Sequence, residues 1–171
     1  FDSLTKRKGT IAFVNVDDKH LVAKAKKLKT KVTFGFTTKK ASVFGNVLAT
    51  NELGCTKFSF AAKSAKRGIN VQLLIAGEHN ALNALSAAAV GLTFKVPTTK
   101  IKSALEKFTP ASKRMETLNI NGITMYNDTY NANPDSMIAA LRTLASAQVT
   151  GKRIAVLADM KELGESSPDE H

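Results

Sequence analysis

Cysteine occurs once, at Cys55, so the chain can form no internal disulfide and no thiolate zinc site. A lone Cys is most often a small buried hydrophobe, and its scarcity fits a reducing, cytoplasmic setting. Histidine is also sparse, with no metal-ligand spacing, and Gly-x-Ser-x-Gly is missing, so zinc and serine-nucleophile chemistry find no support. A Gly-x-x-x-x-Gly-Lys-Ser/Thr phosphate loop is missing too. No apolar run approaches the roughly 20 residues of a membrane span, and the polar, basic start carries no signal-peptide pattern. Acidic residues are scarce in one half only. Residues 1–70 hold 15 Lys/Arg against 4 Asp/Glu, whereas residues 71–171 hold 10 of each, which gives the net charge of +11. The excess gathers in Lys24-Ala25-Lys26-Lys27-Leu28-Lys29-Thr30-Lys31, where no aromatic stacking partners are interleaved. A solvated helix face is therefore favoured over a nucleic-acid module, with mild attraction of anionic substrates as a third reading.

What is present is a regular alternation of elements. The 171 residues suit one large domain or two small ones. Thr10–Val16 reads as a buried strand. Asp17 or Asp18 caps a helix to about Leu28 with Leu21, Val22, Ala25 and Leu28 on one face, and Lys31–Phe36 is the next strand, which makes a β–α–β unit. Metal binding by Asp17, Asp18 and His20 is the weaker reading, since the spacing supplies too few ligands. Three β-like runs follow, Ala41–Thr50, Lys57–Ala62 and Asn70–Ala76, divided by turn signals at Asn51/Gly54 and Gly68. A helix is expected over Glu78–Val90. A second follows Pro97, with Ile101, Ala104, Leu105 and Phe108 on one stripe. Thr109-Pro110-Ala111-Ser112 reads as a linker, which places a domain boundary near residue 111. Met115–Ile120 and Ile123–Asn127 then form a hairpin about Asn121-Gly122. A helix from Pro134 and a strand over Arg153–Ala158 complete the pattern.

The densest signal is Tyr126-Asn127-Asp128-Thr129-Tyr130-Asn131-Ala132-Asn133-Pro134-Asp135-Ser136-Met137. Asn133 suits an N-cap and Pro134 the first helical position. Met137, Leu141, Leu144 and Ala145 recur at helical spacing. An acid at a strand's carboxyl end beside a helix N-terminus is where open α/β sheets bind ligands. Capping explains Asn133, Pro134 and Asp135, but not Asp128, Tyr130 and Asn131 together. Asn80 and Asn83 lie three apart near a helix start and share a face. Their amides suit an adenine edge, and they equally suit capping by Asn80 and a buried hydrogen bond by Asn83.

These stretches resemble motifs of the Mur ligase family, in the branch that adds D-alanyl-D-alanine. The resemblance extends through Gly77-Glu78-His79-Asn80-Ala81-Leu82-Asn83-Ala84-Leu85, Asn15-Val16-Asp17-Asp18, Arg114 and Val156-Leu157-Ala158-Asp159-Met160-Lys161-Glu162-Leu163-Gly164, in family order over nearly the whole chain. It implies an α/β fold: part of a mostly parallel-sheet ATPase domain (residues 1–111) followed by the start of a Rossmann-like C-terminal domain (residues 112–171). Phe1-Asp2-Ser3-Leu4 looks like a helix interior, so the chain is expected to be an internal piece of a longer ligase.

The resemblance also implies an ATP-dependent amide ligase that joins D-alanyl-D-alanine to UDP-N-acetylmuramoyl-tripeptide for peptidoglycan precursor synthesis. Asn80 and Asn83 are expected at the adenine, Asp128 at the ribose and Arg114 at the ATP phosphates. Tyr130, Asn131 and Asn133 are expected at the incoming dipeptide. Asp159 is expected to organise its loop. Lys113 stands where the family commonly has Gly, which bears on the local backbone. Mg²⁺ is expected as cofactor, with its ligands, the phosphate loop and a carbamylated Lys all upstream of Phe1. The expected setting is cytoplasmic, with a monomeric parent and no nucleic-acid partner. The alternatives are a sister Mur or folylpolyglutamate-type ligase, a non-catalytic ATP-binding fragment and a basic nucleic-acid-binding module.

Overall fold

The computed structural model of the chain describes residues 9–161 and 163–170; the Phe1-Asp2-Ser3-Leu4 expectation lies outside them. Five strands form one sheet in sequential order: β1 (Ala12–Asn15), β2 (Lys31–Gly35), β3 (Val43–Thr50), β4 (Cys55–Ala62) and β5 (Ile69–Ala76). Helix α1 (Lys19–Lys24) makes the β1–α1–β2 crossover, and both the β1–β2 and β2–β3 ladders are parallel. The β3–β4 and β4–β5 ladders are antiparallel. The turns at Asn51/Gly54 and Gly68 are too short for a crossover helix, so the second half of the sheet must meander. The α/β class holds, and parallel pairing is confined to the β1–β3 side.

Alternation along the strands builds two apolar layers. Phe13 of β1 joins the main core, while Ala12 and Val14 face Ala25, Leu28 and Leu21 on the opposite side. Helix α1 is shorter than its periodicity predicts. It passes into a 3₁₀ turn at Ala25–Lys27, which keeps Leu21, Ala25 and Leu28 inward but leaves Val22 exposed. Asp18 caps the helix through the backbone N–H groups of His20 and Leu21. Asp17 instead clasps the strand ends, accepting from the Phe36 N–H at 2.7 Å and from Thr37. Both acids thus do structural work. The lysines at 24, 26, 27, 29 and 31 are exposed.

Helix α2 (Glu78–Thr93) lays Ala81, Ala84, Leu85, Ala88 and Ala89 on the core. Their i, i+3, i+4, i+7, i+8 spacing is one helical face, and the small side chains allow close approach to Phe58 and Phe60. Complete burial of each Phe is worth roughly 1.5–3 kcal/mol. Helix α3 (Thr98–Lys107) follows and packs on β5 through Ile101 and Leu105; Ala104 and Phe108, expected on the same stripe, are exposed. The stripe is narrower than expected because the helix ends at Lys107 and Phe108 turns into extended backbone.

The second unit holds β6 (Glu116–Ile120), β7 (Ile123–Asn127) and α4 (Pro134–Ser146). Asn121 and Gly122 both take positive φ, as a two-residue hairpin turn requires. Met115, Tyr126 and Ala140 of this unit pack on the main core. Thr143, only 5% exposed, comes within 3.3 Å of the Cβ position at Gly54 and 3.1 Å of that at Gly77, so both glycines make room for α4. The face that α4 buries is therefore set by Ala140 and Thr143, not by Leu141 and Ala145, which are exposed.

The expected strand over Arg153–Ala158 is not formed. Ile154 and Val156 are 72% and 93% exposed, and no strand among the described residues lies beside the segment to take its backbone hydrogen bonds. Arg153 itself turns back to donate to the Ala147 carbonyl at 2.8 Å, a cation at a helix carboxyl end. A short 3₁₀ turn (Gly164–Ser166) and helix α5 (Ser167–Glu170) follow.

Candidate functional site

The expected site residues come from both units and gather at their junction in two groups. The first group opens α2. Gly77 is its N-cap with φ of +99°, and a Cβ there would lie 2.5 Å from His79 Cε1. Glycine is thus required twice, by conformation and by space. Asn80 is not the cap. Its Nδ2 donates to the Ala76 carbonyl at 2.8 Å and lies 3.1 Å from His79 Nε2. An amide nitrogen can only donate, so His79 Nε2 accepts and the neutral ring carries its proton on Nδ1. Asn83 is exposed and donates to Asn80 Oδ1 at 3.3 Å, so it is neither buried nor capping. His79, Asn80 and Asn83 thus form one hydrogen-bonded row along the helix start.

The second group is the strap 112–116 and the loop 127–133. Asp128, half-buried at the end of β7, accepts the Met115 N–H at 2.9 Å. Tyr130 donates its N–H to the Lys113 carbonyl at 3.0 Å, and the Arg114 guanidinium lies 3.8 Å from the centre of its ring. Such a contact at an exposed site is worth about 0.5–1 kcal/mol. Asn131 is exposed. Asn133 caps α4 in a reciprocal box with Ser136, which engages the side chain expected at a substrate. Lys113 and Met115 have φ of +66° and +48°. The position where the sequence has Lys in place of Gly is therefore left-handed backbone, the conformation that glycine favours.

The two groups are linked electrostatically at the junction through His79 and Asp128. Burial pulls the His79 pKa below its ordinary value, and the Asp128 charge partly opposes that. Tyr126 and Cys55 also meet there; burial raises both, and the Cys55 charge raises Tyr126 further. Cys55 is buried as expected. Asp159 is exposed, whereas its neighbour Met160 is buried. The surface depression among Thr50, Asn51, Glu52, Leu53 and Gln148 contains none of the expected site residues. No cluster of three or more His, Cys, Asp or Glu side chains among the described residues can hold a metal ion, and no described helix is long and apolar enough to cross a membrane.

Sequence reasoning missed Glu116. Its Oε2 accepts from Ser112 Oγ (3.3 Å), the Lys113 N–H (3.1 Å) and Asn127 Nδ2 (3.2 Å). The only signal was its place in a strand opposite Asn127, which becomes informative once the register is known.

A mixed α/β unit with a polar helix start, approached by a carboxylate from a second small unit, is the kind of place where open α/β sheets bind ligands. Residues 1–91 match the Mur ligase middle domain and residues 113–171 match the Mur ligase glutamate ligase domain. The UDP-N-acetylmuramoyl-tripeptide–D-alanyl-D-alanine ligase of Mycobacterium tuberculosis is 35% identical over 164 residues, covering 92% of this chain and 32% of that protein. MurF from Acinetobacter baumannii superposes with a TM-score of 0.82 at 29% identity, over 96% of this chain and 35% of that one. The MurF ligase of Thermotoga maritima, solved in complex with ADP, superposes with a TM-score of 0.78 at 24% identity, over 94% of this chain and 36% of that one. The chain belongs to the Mur ligase family. It spans about a third of the length of the curated relatives it matches.

Proposed function

We propose that this chain supplies nucleotide-facing elements of an ATP-dependent amide ligase that joins D-alanyl-D-alanine to UDP-N-acetylmuramoyl-tripeptide in peptidoglycan precursor synthesis. The observation that carries the reading is that Asp128, from the second unit, acts on the charge of His79 in the His79–Asn80–Asn83 row of the first, while Arg114 sits on the strap whose Met115 N–H Asp128 accepts. The identity to ligases of that name supports the choice of substrates. In this reading residues 1–111 and 112–171 belong to two domains, and the enzyme acts in the cytoplasm.

Each residue has a task that its chemistry suits. The amides of Asn80 and Asn83 offer both donor and acceptor to an adenine edge. The Asp128 carboxylate accepts from ribose hydroxyls, and Arg114 spreads its charge over phosphate oxygens. Tyr130 and Asn131 line the approach of the dipeptide, and Asn133 holds their loop on the helix cap. The tripeptide carboxylate takes the γ-phosphoryl group of ATP, forming a C–O–P linkage and releasing ADP. The dipeptide amine attacks that acyl carbon, and the tetrahedral adduct expels phosphate and a proton as the amide forms. A cation such as Arg114 stabilises phosphate charge as it develops. Mg²⁺ is part of the reading, but the described residues do not form a site for it, so none of these steps is assigned to a metal on this chain.

The test uses a full-length ligase carrying this chain, with phosphate release followed in the presence and absence of D-alanyl-D-alanine. Release is expected to need the dipeptide, and to fall at least about a hundredfold in Asp128→Ala and Arg114→Ala, a loss of roughly 2.7 kcal/mol of transition-state stabilisation. Release that ignores the dipeptide would assign the chain to a sister ligase. Variants as active as wild type would remove Asp128 and Arg114 from the site.

A further inference from the structure

We propose that Glu116 is a positioning residue that holds Arg114 and Asp128 as one unit. The inference rests on the reading that those two side chains meet ATP, and it assigns the group that sets their spacing. One carboxylate oxygen, Glu116 Oε2, collects three donors: Ser112 Oγ at 3.3 Å, the Lys113 N–H at 3.1 Å and Asn127 Nδ2 at 3.2 Å. Ser112 and Lys113 immediately precede Arg114, and Asn127 immediately precedes Asp128. The same oxygen therefore ties the two backbone segments that deliver the two side chains. An ionised acceptor makes each of these bonds stronger than its neutral counterpart.

The backbone between them needs such a tie. Lys113 and Met115 sit in the left-handed region on either side of Arg114, a conformation that persists only where surrounding contacts hold it. Two other contacts of the strap run through the proposed ligand-facing groups themselves: Met115 N–H to Asp128 Oδ1, and Arg114 over Tyr130. A ribose hydroxyl competes for the Asp128 carboxylate, and a phosphate draws Arg114 from the ring. Both contacts are thus put at risk by the ligand. The Glu116 clasp and the Tyr130 N–H to Lys113 carbonyl bond use no atom that the nucleotide needs, so they hold the strap while the other two exchange.

The experiment is steady-state kinetics on a full-length ligase carrying this chain, with Glu116→Ala, Glu116→Gln, Arg114→Ala, Asp128→Ala and the Glu116→Ala/Arg114→Ala pair. Glu116→Ala is expected to raise the KM for ATP about tenfold while moving the KM for the UDP-tripeptide less than about twofold. Gln keeps an acceptor oxygen in place and is expected to stay within about threefold of wild type. Because Glu116 acts partly through Arg114 and partly through Asp128, the double variant is expected to lose less than the product of the two single losses. A Glu116→Ala enzyme with wild-type kinetics, equal rises in both KM values, or a double variant in which the two losses multiply would each overturn the proposal. Should Glu116→Ala fail to fold, Asn127→Ala removes a donor from the same oxygen; it must shift the ATP KM in the same direction, and no shift overturns the proposal. An impaired Arg114→Ala beside an unaffected Glu116→Ala sinks this inference alone. Unaffected Arg114→Ala and Asp128→Ala enzymes sink the site reading, and this inference with it.

Discussion

Lys113 shows how a single residue can record a backbone requirement that its own chemistry does not favour. Its φ of +66° lies where a Cβ crowds the following carbonyl, and its side chain is exposed, so no packing compensates. Substitutions there read the conformation directly. Lys113→Gly is expected to raise stability by up to about 1 kcal/mol, and Lys113→Val to lower it by about 1–2 kcal/mol, because β-branching disfavours the left-handed region most. Urea midpoints of the chain should run in the order Gly, Lys, Val. A Val variant as stable as wild type would contradict the assigned backbone. The family's Gly at this position was a legible hint of the conformation. The positive φ at Met115 carried no such hint, because Met115 takes it to put its side chain into the core while its N–H meets Asp128.

At the level of the element, α4 separates what capping explains from what a site needs. Asn133 Oδ1 accepts the Ser136 N–H at 2.9 Å and Ser136 Oγ accepts the Asn133 N–H at 3.1 Å, a closed box on an exposed helix start. Asn133→Ala should cost about 1 kcal/mol in thermal or urea unfolding, and Asn133→Ser should recover most of it. Equal stability of all three proteins would remove the cap from the account. Cap, proline and hairpin signals were legible because they involve residues within a few positions of one another. The buried face of α4 was not, because Ala140 and Thr143 are chosen by the glycines at 54 and 77 on another unit.

For the whole molecule, the junction of the two units couples stability to pH through His79. Burial lowers its pKa from the ordinary 6.5, and Asp128 opposes this more weakly. The unfolded chain therefore takes up the proton first as the pH falls. The stability contributed by the neutral ring is complete above the unfolded value near 6.5 and is lost as the pH drops from there toward the lower folded value. Between about pH 7.5 and pH 5.5, above the titration of ordinary carboxylates, wild type is expected to lose more stability than His79→Gln, which cannot titrate. Parallel losses in the two proteins, measured by urea unfolding, would show that His79 is not the group.

The sequence by itself determined most local elements, the hairpin, the cap at Asn133 and the family, because each rests on short-range patterns or on motifs in a characteristic order; it left the first helix cap open between Asp17 and Asp18. It also marked Asn80, Asn83, Arg114 and Asp128 as residues of interest. Only the tertiary structure decided that the sheet turns antiparallel after β3, that Val22 and Ala104 face solvent, and that Arg153–Ala158 stays outside any ladder. Those outcomes depend on partners far away in the chain: a strand needs a neighbour, and a helix face needs a surface. The same holds for Glu116, whose role exists only because the β6–β7 register brings it beside Asn127 and the strap folds back over both.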